Sequence, residues 1–259
     1  MNSAKKFDMV RTVFSVLIAL AISFVIIFMV SDQPLEAIKY LLIGPFTNKR
    51  SMGNVVESMI PLIFTGTGVC IMFSANQINL AGEGAFHIGG LIASCVAIKL
   101  TATFVSPFMA LLCAGLVGAL FTAIPAIMKI TTTASEMVSS LMINYLALYF
   151  GNYMLNNVIG DPKASAASYK LADAAELPVL IPGTRVHLGI IIAIAVAVLG
   201  YFFLYRTKMG YELRLAGENE EFAKYSGVSI VKVIMISQLL GGFVAGLGGG
   251  VEMLSPIYS

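Results

Sequence analysis

The sequence predicts an all-α fold, a polytopic bundle of transmembrane helices. Three observations carry that reading. Of 259 residues, 58% are apolar and only 12% are charged, whereas soluble domains carry about 25% charge. The mean hydropathy is +0.88. Apolar runs of a length suited to crossing a bilayer recur along the chain, and a run of about twenty such residues is what a spanning helix needs. The basic residues are scattered among the polar segments, so a net charge of +2 gives no nucleic-acid reading.

About seven spans are predicted: 12–30, 56–75, 82–99, 106–128, 135–156, 187–205 and 231–252. The first follows Lys5, Lys6 and Arg11 and runs unbroken to Val30. It is longer than the apolar region of a signal peptide, and Ser31-Asp32-Gln33-Pro34 follows in place of a small-residue cleavage site. An uncleaved span with a cytoplasmic N-terminus is expected. Alternation from there places Lys129 and the segment 206–229 inside, and nine of the sixteen Lys and Arg residues with them. Segment 157–186 is then an external loop. Pro34–Phe46 carries Leu35, Ile38, Leu41 and Leu42 as a helical stripe, suited to lying along the outer interface. Cys70, Cys95 and Cys113 all fall within apolar runs, are odd in number, and read as small buried residues without a disulfide.

Two glycine-rich stretches lie within spans. Gly241–Gly250 has small residues four apart and reads as a close helix-packing surface. The other, near 76–90, differs. Asn76, Gln77 and Asn79 precede Gly82-Glu83-Gly84, and polar groups amid glycines at the edge of a span predict a broken helix facing a cavity. An acid placed there is a functional candidate. Three roles stand open for Glu83: a hydrogen bond that organises the break, contact with a solute, or exposure at the interface. Glu252 reads as interface-exposed. Asn144 and Tyr145 within the fifth span could line a path or make a helix–helix hydrogen bond. His87 has only Glu83 nearby at helical spacing, which makes a metal site a weak reading. The chain has no Gly-Lys dipeptide and hence no P-loop, and no Gly-x-Ser-x-Gly. No catalytic residues and no cofactor are expected.

The segment Arg206–Ser229 holds eight of the thirty formal charges, all within Arg206–Lys224, and must lie in water. Its second half predicts a short helix: Asn219 as N-cap, Glu220 and Glu221 at the positive end, Lys224 near the negative end, and Gly227 as a left-handed stop. Phe222, Tyr225 and Ser226 share one face. That face either docks a partner or packs on the chain itself. Phe222 and Ala223 are the candidates for the contact that carries a docked interface.

Pro61-Leu-Ile-Phe-Thr-Gly66 followed by Ile78-Asn-Leu-Ala-Gly-Glu-Gly84, then Glu136-Met-Val-Ser-Ser-Leu-Met-Ile-Asn-Tyr-Leu146, then Arg206–Asn219 and Ala223–Gly227 resemble the membrane subunits of bacterial ABC importers. The similarity is to the nucleoside and simple-sugar group of the ribose/branched-chain amino-acid permease superfamily, and it covers about residues 55–255. The resemblance implies a single permease domain over 1–259 in the bacterial inner membrane; members of the group usually continue for several more spans, so the expectation is a fragment or a shortened gene product. It implies that Asn79, Glu83 and Gly84, with Asn144, form the translocation region. It implies that Gly210, Arg214, Gly217, Glu218, Asn219, Ala223 and Gly227, together with Phe222, make the coupling element. The expected partners are a cytoplasmic ATPase subunit that binds the ATP, a second permease subunit in a homo- or heterodimer, and an external solute-binding protein. The expected function is inward passage of a small polar solute, a nucleoside first, with a simple sugar or branched-chain amino acid as the alternative. A secondary transporter or channel would need no docking helix, and an intramembrane enzyme would need the catalytic groups that the sequence lacks.

Overall fold

The computed structural model describes residues 2–99, 106–132, 134–160 and 176–255. Within these it holds ten helices: α1 (Asn2–Val30), α2 (Pro34–Thr47), α3 (Lys49–Ser74), α4 (Gly82–Lys99), α5 (Ser106–Thr132), α6 (Glu136–Asn157), α7 (Gly189–Arg206), α8 (Lys208–Glu218), α9 (Glu220–Tyr225) and α10 (Ile230–Met253). Helices occupy all seven predicted stretches. Five of them, α1, α3, α5, α7 and α10, are long and apolar enough to cross a membrane. The other two, α4 and α6, carry the polar residues that build the site below.

The chain divides into two compact units, Met1–Val55 and Val56–Ser259. In the first, α1 follows its charged start with a long apolar stretch within Val10–Val30 and buries none of the most hydrophobic part of it. A helix that exposes Val13, Phe14, Leu17 and Ile22 in this way has lipid or another helix as its natural solvent. The predicted stripe at Pro34–Phe46 is helical as α2, where Pro34 takes the first turn, whose N–H groups have no helical acceptor.

In the second unit α10 is the central helix, with half of its most apolar stretch buried. Glycine makes this possible. A β-carbon at Gly246 would overlap the backbone of α5 at Ala114, and one at Gly249 would overlap the carbonyl of Phe86 in α4. One at Gly241 would crowd Met72 and the carbonyl of Gly68 in α3. The predicted close-packing surface at 241–250 is thus what lets three helices approach one axis. Several hydroxyls inside the bundle satisfy themselves on the preceding turn, as Thr67 Oγ1 does on Ile63 O at 2.7 Å and Ser94 Oγ on Gly90 O at 3.1 Å.

One expectation needs correction. The cysteines are free, but Cys70 is exposed and Cys95 and Cys113 are half-buried, because the apolar runs holding them turn part of their surface outward. The charged segment after α7 is helical in its first half as well as in the predicted second half. Its first half forms α8, whose N-cap Thr207 accepts from the Gly210 amide at 3.0 Å. Residues 161–175 of the predicted external loop lie outside the described residues. The part after them turns back on itself, with Leu180 N donating to Val186 O at 2.8 Å, and is tied to the end of α10 by Leu177 N donating to Leu254 O at 2.9 Å.

Candidate functional site: the broken helix and the loop beneath it

The break between α3 and α4 is built residue by residue. Asn76 ends α3 with φ +53°, the left-handed conformation that Asn tolerates better than most side chains. Of the next five residues, Gln77 N still donates to Met72 O of α3 at 3.2 Å and Ala81 O accepts from Ala85 N at 2.8 Å, while side chains of α6 and of Asn79 itself serve the backbone of Leu80 and Ala81. Asn79 Oδ1 accepts from Ala81 N at 2.6 Å, and its Nδ2 donates to Gln238 Oε1 of α10 at 2.5 Å. Leu80 N donates to Ser140 Oγ of α6 at 3.1 Å. Asn144 Nδ2 donates to Leu80 O at 2.7 Å while its Oδ1 accepts from Gly84 N at 2.9 Å. Asn144 therefore makes an interhelical bond, one of the two roles left open for it. Gly84 is glycine for a packing reason, since a β-carbon there would meet the Asn144 amide at 2.7 Å.

Behind the break lies a charge pair, with Glu136 buried and Lys129 one-third exposed, that the sequence did not single out. Lys129 Nζ of α5 lies 2.9 Å from Glu136 Oε2 of α6. Lys129 also donates to Gln77 Oε1, and Gln238 Nε2 donates to Glu136 Oε1. Gln77 Nε2 in turn donates to Ala75 O at 2.8 Å. Thr122 Oγ1 ties the same turn of α10 by donating to Gln238 O at 2.7 Å. The ammonium and carboxylate cancel each other, and the amides take up remaining donors and acceptors of both. Both conditions are needed for a buried pair to be tolerated.

Glu83 takes no part in this network. Its side chain is 66% exposed, 4.0 Å from His87 Nε2 one turn on. It borders a groove of about 390 Å³ between α3 and α4, with Thr65, Val69, Phe73, Asn79 and Phe86. The break is organised by Asn79, Asn144, Ser140 and Gln238 instead. Among the described residues no group of three His, Cys, Asp or Glu side chains comes together.

The charged loop sits under the break. Asn219 caps α9, its Oδ1 accepting from Phe222 N at 3.0 Å, and Gly227 stops it with φ +81°. Several residues that the resemblance assigns to coupling have contacts within this chain. Ala223 is fully buried in the main apolar core, Gly210 packs on the backbone of Phe203 and Leu204, and Gly217 packs on Ser74 O at the end of α3. Arg214 Nε donates to Leu204 O at 3.1 Å, and its guanidinium lies 4.7 Å from the Tyr205 ring centroid. Glu218 and Asn219 are exposed, and so is the predicted shared face: Phe222 at 57% and Tyr225 at 91%, with Ser226 beside them.

The family described as "Branched-chain amino acid transport system / permease component" matches residues 51–258. The chain belongs to this permease family. It is an integral membrane protein of that family. It is 32% identical to the guanosine ABC transporter permease protein NupP of Bacillus subtilis, over 82% of this chain and 62% of that protein. It is 30% identical to the glucose ABC transporter permease protein TsgB13 of Haloferax volcanii, over 93% of this chain and 67% of that one. The nucleoside ABC transporter permease protein NupB of Lactococcus lactis is 25% identical over 84% of this chain and 63% of its own length. The chain thus spans about two thirds of the length of these relatives, which are transport components by name. No solved structure matches it.

Proposed function

We propose that this chain is the membrane-spanning subunit of an ATP-driven importer, with a nucleoside as its solute. The observation that carries the reading is the α8–α9 element. It is anchored inward by Leu213, Ala216 and Ala223, and it presents Phe222 and Tyr225 outward. An aromatic pair held in the open on a firmly packed scaffold suits a partner's groove. The partner would be a cytoplasmic ATPase that binds the ATP, so this subunit needs no cofactor of its own. On this reading the chain sits in the bacterial cell membrane, with the N-terminus and the α8–α9 loop on its cytoplasmic side. A second permease subunit, identical or related, completes the path, and an external binding protein delivers the solute.

The α3–α4 groove is the candidate path lining. A carboxylate two-thirds exposed on a helix of a membrane protein needs water or a polar partner beside it, and Glu83 with His87 on α4 meets that description. Phe73 and Phe86 offer flat apolar surface for a base, while Glu83 and Thr65 offer groups for sugar hydroxyls. Asn79, Gly84 and Asn144 support this wall from behind. The nucleoside reading draws on the NupP and NupB likeness. A sugar is the second reading, favoured by the likeness to TsgB13 over nearly the whole chain.

The test is solute-stimulated ATP turnover by the complex reconstituted with its ATPase and binding protein. Guanosine is expected to stimulate it and glucose is not. Stimulation by glucose alone would favour the second reading, and stimulation by neither would contradict both.

A further inference from the structure

The network behind the break joins two places that a transporter of this kind has to connect. One is the N-terminus of α4, which carries Glu83. The other is the α8–α9 loop. Two contacts lead from the loop to the break. Gly217 of α8 packs so closely on the end of α3 that a β-carbon there would overlap Ser74 O and come within 3.3 Å of Asn76 N. A small polar cavity of about 110 Å³ lies between the start of α9 and the break, and Glu220, Asn76, Gln77 and Lys129 line it. Lys129 is one-third exposed in its side chain, whereas Glu136 is almost wholly buried. The pair therefore has one member facing the loop and the other held inside.

From Lys129 the bonding runs through Gln77 to Ala75 O on one side of the break. On the other side it runs through Glu136 and Gln238 to Asn79. The residues between, 75–81, follow no helix, and among the described residues these side chains make their polar contacts to α5 and α10. A buried pair is a poor source of stability, since apolar residues of similar volume serve as well or better. Its value is in fixing one geometry. We propose that Lys129 and Glu136 are positioning residues that, through Gln77 and Gln238, hold the 75–81 break in register with the α8–α9 loop, so that displacement of the loop is passed to the N-terminus of α4 and the groove it borders.

This rests on the importer reading. The experiment compares wild type, Gln77→Met and the double variant Lys129→Met/Glu136→Met, each reconstituted with the ATPase and the binding protein. Solute taken up per ATP hydrolysed is measured alongside subunit stability. Gln77→Met cuts the link to the break while leaving both charges paired. The double variant removes the pair without leaving either charge alone. Both are expected to retain the ATPase and to keep basal ATP turnover. Uptake per ATP should fall at least about fivefold in each, the low end of coupling between two sites. Lys129→Arg, which keeps the charge, should recover most of it.

A purely structural pair would give a different result, namely wild-type uptake per ATP in both Gln77→Met and the double variant, and that result overturns the inference. If the double variant does not insert, Gln77→Met decides alone by the same ratio. If the wild-type complex itself shows no solute-stimulated turnover, the importer reading fails first and takes this inference with it.

Discussion

Gly217 in α8 lies so close to Ser74 at the end of α3 that a β-carbon on it would overlap the Ser74 carbonyl oxygen. The contact pins the charged loop to the bundle at the residue where the third helix stops. Gly217→Ala should therefore force the two apart, at the cost of about 1–3 kcal/mol that overpacking carries. The check is the unfolding temperature of the detergent-solubilised subunit, expected to drop by several degrees. Gly66→Ala is the control, because nothing lies within 4 Å of its would-be β-carbon. Equal effects at the two sites would count against the packing account.

Asn144 supports the break with both ends of its amide. Asn144→Leu would leave Gly84 N–H and Leu80 C=O without that partner inside the bundle, at about 1–3 kcal/mol for each buried group left unmade. Asn144→Asp keeps an acceptor for Gly84 but has no donor for Leu80, so it should fall between Leu and wild type. The same melting measurement reports the order. An Asp variant less stable than Leu would show that a buried charge, and not the missing donor, sets the cost.

Much of this was legible in the sequence, and the parts that were not share a physical cause. Apolar run length marked every long helix, and Asn219 and Gly227 marked both ends of α9, because such signals act within a few residues. Gly241–Gly250 marked a close-packing surface. The Lys129–Glu136–Gln238 network was not legible, since its partners lie as many as 102 residues apart and nothing local tells a buried Glu from an exposed one. The same ambiguity gave Glu83 a possible role in organising the break, which belongs to Asn79 and Asn144. Ala223, a docking candidate by its neighbours, turned out to be an inward anchor. Only the folded chain shows which side of a two-turn helix faces in.

His187 supplies a pH test. It is fully buried in the turn leading into α7, and its Nδ1 accepts from Gly189 N at 3.2 Å. Burial lowers its pKa below the ordinary 6.5. The folded chain keeps the imidazole neutral while the unfolded chain takes up a proton, so stability rises with pH across this window. It is complete above the ordinary value and is lost as pH falls from there toward the lower folded-state value. His187→Asn keeps an acceptor for Gly189 and removes the titration. Melting temperatures between pH 7.5 and about 5 should fall less steeply in this variant than in wild type, following the ordinary histidine range. Identical slopes would show that His187 does not titrate with unfolding.

The central claim is that α9 faces a partner with Phe222 and Tyr225 while Ala223 holds it to its own bundle. The most direct measurement is co-purification of the cognate ATPase with Phe222→Ala/Tyr225→Ala subunit from membranes at matched expression. Truncating two aromatic anchors of a docked interface should cost about tenfold or more in retention, with the subunit's own unfolding temperature unchanged. Ala223→Leu should do the reverse in its first effect, lowering that temperature by crowding the core. A Phe222→Ala/Tyr225→Ala subunit that keeps a full complement of ATPase and transports normally would contradict the account.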